Sequence, residues 1–215
     1  MHAPPWQSPR PEQLTGLILA GGQGQRMGGV DKGWVMWPAA QAPSQALVQH
    51  VLQRLAPQVG TVWISANRNA ERYATLGVER VFSDALPGHL GPLAGWHAAL
   101  QALHAQTARQ GAWLLSVPCD APLLSPTLAA RLCAALCAQD RAAYAQTADG
   151  PQPVFALLHS SLHAELASAL QGQQRRVLQW LQQVGARAVL LDAAGDATAF
   201  ANVNTPEALH QPKPD

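Results

Sequence analysis

Lysine is nearly absent from this chain: there are two, Lys32 and Lys213, against twelve arginines. Long apolar runs are missing too, and none approaches the roughly 18 residues of a membrane span, so a transmembrane protein is not expected. Cysteine is sparse and odd in number. Cys119, Cys133 and Cys137 form no CxxC pair, which argues against both a disulfide framework and a zinc knuckle. Charge is scarce as well, at 13% of residues with a net charge of +1, and this removes the electrostatic case for nucleic acid or an acidic membrane surface. The start, MHAPPWQSPRPEQ, has four prolines and no apolar h-region. It reads as a flexible leader over 1–13 rather than a signal peptide, and the expected compartment is the cytoplasm. No Ser-His-Asp or Cys-His set is evident. His159 and His163 are four apart without the Glu of a zinc-protease motif and are expected as solvated helix residues. Cys133 and Cys137, one helical turn apart in an apolar segment, are expected as small core residues.

What remains is a chain of 215 residues, 48% apolar, long enough for one substantial core. Apolar runs at 14–19, 61–66, 78–82 and 112–117 read as strands, the first short and apolar enough to be buried on both faces. A short extended piece is expected at 34–37. Between the strands lie helical patterns at 46–55, at 70–76 closing on Gly77, and through Trp96, Leu100 and Leu103 with Pro92 in the first turn. Ser125-Pro126 reads as a cap and first-turn proline for a helix reaching about 138. The pattern then changes. Strands at 142–147 and 153–158 flank Asp149-Gly150, a hairpin signal. Helices at 162–170 and 177–183, strands at 186–191 and 200–203, and a last helix from Thr205-Pro206-Glu207 complete the order. Strands alternating with helices imply a Rossmann-like, doubly wound, mostly parallel α/β fold with an antiparallel element in its second half. It forms one domain over 14–210, followed by a tail at 211–215.

The segment 17–33, LILAGGQGQRMGGVDKG, is where the first strand empties into a loop with five glycines ahead of Lys32. Glycines let backbone N–H groups approach anionic oxygens, and fixed cations such as Arg26 and Lys32 then neutralise the charge. In a chain that otherwise uses Arg, Lys32 stands out as a compact ammonium. Two familiar loops fail on spacing. Lys32 lies between Asp31 and Gly33, not in the Gly-Lys-Ser/Thr of a Walker A loop, and Gly22-Gln23-Gly24 lacks the third glycine and the later acid of a dinucleotide fingerprint. In a doubly wound sheet ligands bind beyond the carboxyl ends of the strands. The glycine loop, Asn67, Asp84 and Asp120 follow four successive strands at that edge, which points to a nucleotide site.

LILAGGQGQRMGGVDKG resembles the signature of nucleotidyltransferases that begin LxAGGxxxRMGxxK. With ISANRN (64–69), FSD (82–84), GPLAG (91–95), PCDAP (118–122), RRV (175–177) and NVNTPEAL (202–209), the chain is similar to the molybdenum cofactor guanylyltransferases over nearly its whole length after the leader. That resemblance implies transfer of GMP from GTP to the phosphate of molybdenum-loaded molybdopterin, with release of pyrophosphate. Such an attack needs no general base, because a phosphate monoester is already anionic; the site must align two anions and absorb charge on the leaving group. By matching positions, Leu19, Ala20, Gly21 and Gly22 would contact the nucleotide through backbone groups, and Arg26 and Lys32 would face the phosphates. Ser65, Asn67 and Asp84 would hold the nucleoside, and Asp120 would bind magnesium, with manganese as an alternative. Gly91 and Gly95 would keep a loop close to ligand, and Arg175, Arg176, Asn202 and Asn204 would lie toward the pterin. A monomer is expected, with no nucleic-acid or membrane partner, and the docking of other cofactor-maturation proteins is left open. One stretch departs from the family: 39–46 replaces a usual Gly-Lys-Pro-Leu turn. Alternatives are a cytidylyltransferase acting on the same pterin, another nucleotidyltransferase such as one acting on sugar 1-phosphates, or a non-catalytic nucleotide- or cofactor-binding module.

Overall fold

In a computed structural model, which describes residues 8–20, 30–37, 44–83, 91–107, 111–192 and 199–201, the apolar run Leu14–Leu19 is a strand, β1. Successive side chains of a strand point to opposite faces, and here Leu14 and Ile18 enter one core while Leu17 enters the other. Burial on both faces is why this strand shows no polar alternation. Pro11–Gln13 forms a 3-10 turn directly ahead of it. A small antiparallel ribbon follows, of Met36–Trp37 (β2) and Gln45–Ala46 (β3). Then come α1 (Leu47–Leu55), β4 (Thr61–Ser65), α2 (Ala70–Ala74), β5 (Arg80–Phe82), α3 (Pro92–Gln106), β6 (Trp113–Pro118) and α4 (Leu128–Ala135). The second half adds β7 (Ala142–Thr147), β8 (Gly150–His159), α5 (His163–Gln171), α6 (Val177–Gln183) and β9 (Arg187–Leu190).

Among the described residues seven strands make one sheet in the order β5-β4-β1-β6-β8-β7-β9. All its pairings are parallel except those of β8 with β6 and with β7, so the hairpin at Asp149-Gly150 supplies the expected antiparallel element. One core packs α1, α2 and α4 on one face of the sheet, and another packs α3, α5 and α6 on the opposite face. Gly16 permits the first packing, because a Cβ there would lie 3.0 Å from side-chain carbons of Leu55 and Val59. On the other face Trp96 and Trp180 meet with ring centroids 5.9 Å apart, and Trp96 donates its indole N–H to Ser116 Oγ at 2.6 Å. The chain first runs outward from β1 through β4 to β5, then returns to place β6 on the other side of β1. The strand order therefore reverses between β1 and β6, and the carboxyl ends of those two strands define the crevice.

Several local expectations change. The segment 34–37 begins within a 3-10 turn, Lys32–Trp34, and only Met36–Trp37 is extended. Ser125-Pro126 does not start α4. The buried Gln58 amide donates to Ser125 O at 2.9 Å and accepts Ala129 N–H at 3.0 Å, so a side chain from outside the helix satisfies its first turn and holds 125–127 as a turn before it. The helix also stops at Ala135, where Leu136 turns extended. Cys137 consequently lies beyond the helix and is exposed, while Cys133 is buried as expected. His159 is not a solvated helix residue: it ends β8, is 2% exposed and packs edge-on against Trp113. Phe200 lies in a turn against Phe155 rather than in a strand. Val203 and the last expected helix lie outside the described residues, as does most of 39–46.

Candidate active site

At the carboxyl end of β1, Leu19 O accepts the N–H of Cys119 at 3.1 Å, and Ala20 N–H donates to Ser65 O at 2.8 Å. These bonds hold the exits of β1, β4 and β6 in one row. Gly95 completes the row from behind. It sits inside α3, where a Cβ would fall 2.7 Å from Leu19 Cδ2 and 2.8 Å from Ser65 Oγ. The glycine thus lets the first turns of α3 close onto the ends of β1 and β4. Gly91, at φ +68, is the residue before that helix, in a conformation that favours glycine. Ser65 is buried at the row and Asn67 is exposed just past it.

Lys32 and Asp120, 88 positions apart in sequence, meet over this edge. Lys32 Nζ donates to Asp120 Oδ2, with the two side chains 21% and 13% exposed. The other carboxylate oxygen, Asp120 Oδ1, is buried and has no hydrogen-bond partner among the described residues. A buried acceptor left open costs free energy, and a cation or donor from a ligand would satisfy it. The chemistry of that oxygen fits a hard divalent ion such as magnesium. Among the described residues no group of three or more His, Cys, Asp or Glu side chains forms a metal cage. Neighbouring Cys119 is buried, and burial first, then the Asp120 charge, push its thiol well above the ordinary range, so it offers no thiolate nucleophile.

Asp31 was not among the expected site residues, yet it organises the turn that carries Lys32. Its Oδ1 accepts the Tyr73 hydroxyl at 2.6 Å and Gly33 N–H at 3.3 Å, and its Oδ2 accepts Asn69 Nδ2 at 2.8 Å. The sequence signal was an acid beside the one lysine of the loop, together with Asn69 and Tyr73 spaced by four. Arg175 and Arg176 are exposed ahead of α6, their backbone N–H groups each donating to Gln174 Oε1 at 2.9 Å. Gly21, Gly22, Arg26, Asp84, Asn202 and Asn204 lie outside the described residues. Thus Leu19, Ala20, Lys32, Ser65, Asn67, Gly95 and Asp120 gather at one sheet edge.

Residues 16–187 match the MobA-like NTP transferase domain. The chain is 41% identical over 208 residues to the molybdenum cofactor guanylyltransferase of Ralstonia pickettii (strain 12J), covering 92% of this chain and 95% of the relative. It belongs to the molybdenum cofactor guanylyltransferase family. Another family member, from Pasteurella multocida (strain Pm70), is 43% identical over 192 residues, with 89% and 94% of the two chains covered. The fold matches that of molybdopterin-guanine dinucleotide biosynthesis protein A from Archaeoglobus fulgidus, with a TM-score of 0.66 at 24% identity over 91% of this chain and 95% of that one. No helix among the described residues is long and apolar enough to cross a membrane.

Proposed function

We propose that this chain transfers GMP from GTP to the phosphate of molybdenum-loaded molybdopterin, releasing pyrophosphate and forming the guanine dinucleotide. A pterin phosphate oxygen forms a bond to the α-phosphorus as the bond between that phosphorus and the bridging oxygen of the leaving pyrophosphate breaks. No proton need be removed from the nucleophile, so the reaction asks of the site cations and donors that absorb charge rather than a general base. The observation that carries the reading is the Lys32–Asp120 pair at the strand-order reversal, in a chain about two-fifths identical to guanylyltransferases over nearly its full length.

In this reading the backbone at Leu19, Ala20, Gly21 and Gly22 cradles the nucleotide, Ser65, Asn67 and Asp84 hold the nucleoside, and Arg26 and Lys32 face the phosphates. Asp120 would hold magnesium, which when bound neutralises charge on the phosphates and the departing pyrophosphate. Lys32 exchanges its carboxylate partner for phosphate oxygens as the nucleotide enters, so its ammonium stays neutralised throughout. Gly91, Gly95, Arg175, Arg176, Asn202 and Asn204 frame the pterin side. The proposed enzyme is a monomer of the cytoplasm.

Purified protein with magnesium and molybdenum-loaded molybdopterin should convert GTP, and not CTP, to the dinucleotide with one pyrophosphate per product. Turnover of CTP alone would defeat the assignment in favour of a cytidylyltransferase. Nucleotide binding with no turnover of either would favour a non-catalytic module.

A further inference from the structure

Lysine carries its charge on a flexible four-carbon stem, so where its ammonium sits depends on how firmly its own backbone is held. In this chain that backbone is a three-residue turn, Lys32–Trp34, anchored from a different element. The Asp31 carboxylate takes three donors at once, from Tyr73, Asn69 and Gly33. Tyr73 is fully buried in α2, and burial first, then the Asp31 hydrogen bond, hold its phenol protonated, so it remains a donor. Gly33 is buried against that hydroxyl, with no room for a Cβ. Trp34 closes the turn from the other side, its ring 5.2 Å from that of Tyr73, with the Arg72 guanidinium 3.9 Å over the indole. Asn69, at φ 53, adopts the left-handed conformation at the start of α2, two residues past Asn67. The turn holding Lys32 is thereby tied to the corner that carries Asn67.

We infer that Asp31 and Tyr73 are positioning residues for GMP transfer: through the turn they brace, they hold Lys32 where it meets the triphosphate and fix its register against the nucleoside corner at Asn67. This rests on the reading of Lys32 as a phosphate ligand. Neither side chain need touch substrate, and their effect passes through Lys32. Substrate alignment is where small displacements cost large factors in rate.

A double-mutant cycle on the full chain separates positioning from mere structural support. In the GMP-transfer assay Tyr73→Phe should lower kcat/KM for GTP about tenfold in the wild-type background. In a Lys32→Ala background the same change should cost less than about twofold, since the group it positions is gone. The melting temperature should fall by a similar amount in both backgrounds. If Tyr73→Phe does not fold at the assay temperature, Asp31→Asn carries the same cycle. An equal fold-loss in both backgrounds would overturn the positioning role and leave the guanylyltransferase reading standing. Wild-type kcat/KM for Lys32→Ala alone would instead remove the phosphate role of Lys32, and the inference with it.

Discussion

The ion pairs of the two halves of the sheet are built differently. In the second half, Asp140 accepts Arg187 Nε at 2.5 Å and the Cys137 N–H at 2.8 Å, so both a cation and a backbone donor serve one carboxylate. Arg141 pairs with Glu165 at 2.6 Å, each side chain more than a third exposed. Such pairs at the surface tie elements together and contribute little net stability. In the first half, Lys32 and Asp120 are more enclosed, and one buried oxygen of the carboxylate stays open. A pair that leaves no buried polar atom open is architecture. One that is enclosed and still unsatisfied, at the reversal of strand order, has capacity left for a ligand.

That contrast is broken most forcefully by Asp120→Ala, which should reduce GMP transfer on the order of 10³-fold by removing the carboxylate proposed to hold magnesium and its charge stabilisation. Steady-state rates against a retained circular-dichroism spectrum would check it. Next in size is Trp180→Ala, deep in the second-half core, which should cost about 3 kcal/mol of stability in a denaturant titration. The specific activity of the molecules that remain folded should be unchanged. A pH effect follows from the same half. The imidazole of His159 is pushed down to about 4, by burial first and then by Arg141 and His104. Protonation therefore favours the unfolded chain, so stability should be retained above the ordinary imidazole pKa and fall as pH drops from about 6.5 toward 4. The loss is on the order of 2–3 kcal/mol, and His159→Gln should flatten that part of the stability profile. Smallest is Arg187→Ala, which should leave activity within about twofold, because Arg187 lies on β9, at the far edge of the sheet from the β1–β6 crevice, in a pair that is only part-buried.

Much of this organisation was legible in the sequence. The runs at 14–19, 61–66 and 112–117 and the turn at Asp149-Gly150 carried strong local signals, because a strand buried on both faces has little freedom of composition. Lys32, Asn67 and Asp120 could be assigned to one edge because a doubly wound sheet brings its strand ends together, while Leu19, Ala20 and Ser65 followed only from the resemblance of their motifs to the family. What escaped notice depended on partners distant in the chain. The α4 start is set by Gln58 from the other side of a 67-residue separation, which no cap rule for Ser125 contains. His159 looked like half of a helical pair, but pairing of β8 with β6 extends to that residue, opposite Trp113. The role of Asp31 is likewise set at a distance, by Asn69 and Tyr73 from another element.

The central claim is that the open oxygen of Asp120 is the place where magnesium and nucleotide meet. Calorimetric titration of GTP into wild-type protein and into Asp120→Asn, each with and without magnesium, tests it most directly. Magnesium should tighten GTP binding to the wild type by about tenfold or more and leave binding to Asp120→Asn nearly unchanged. The same magnesium enhancement in both proteins would contradict the account.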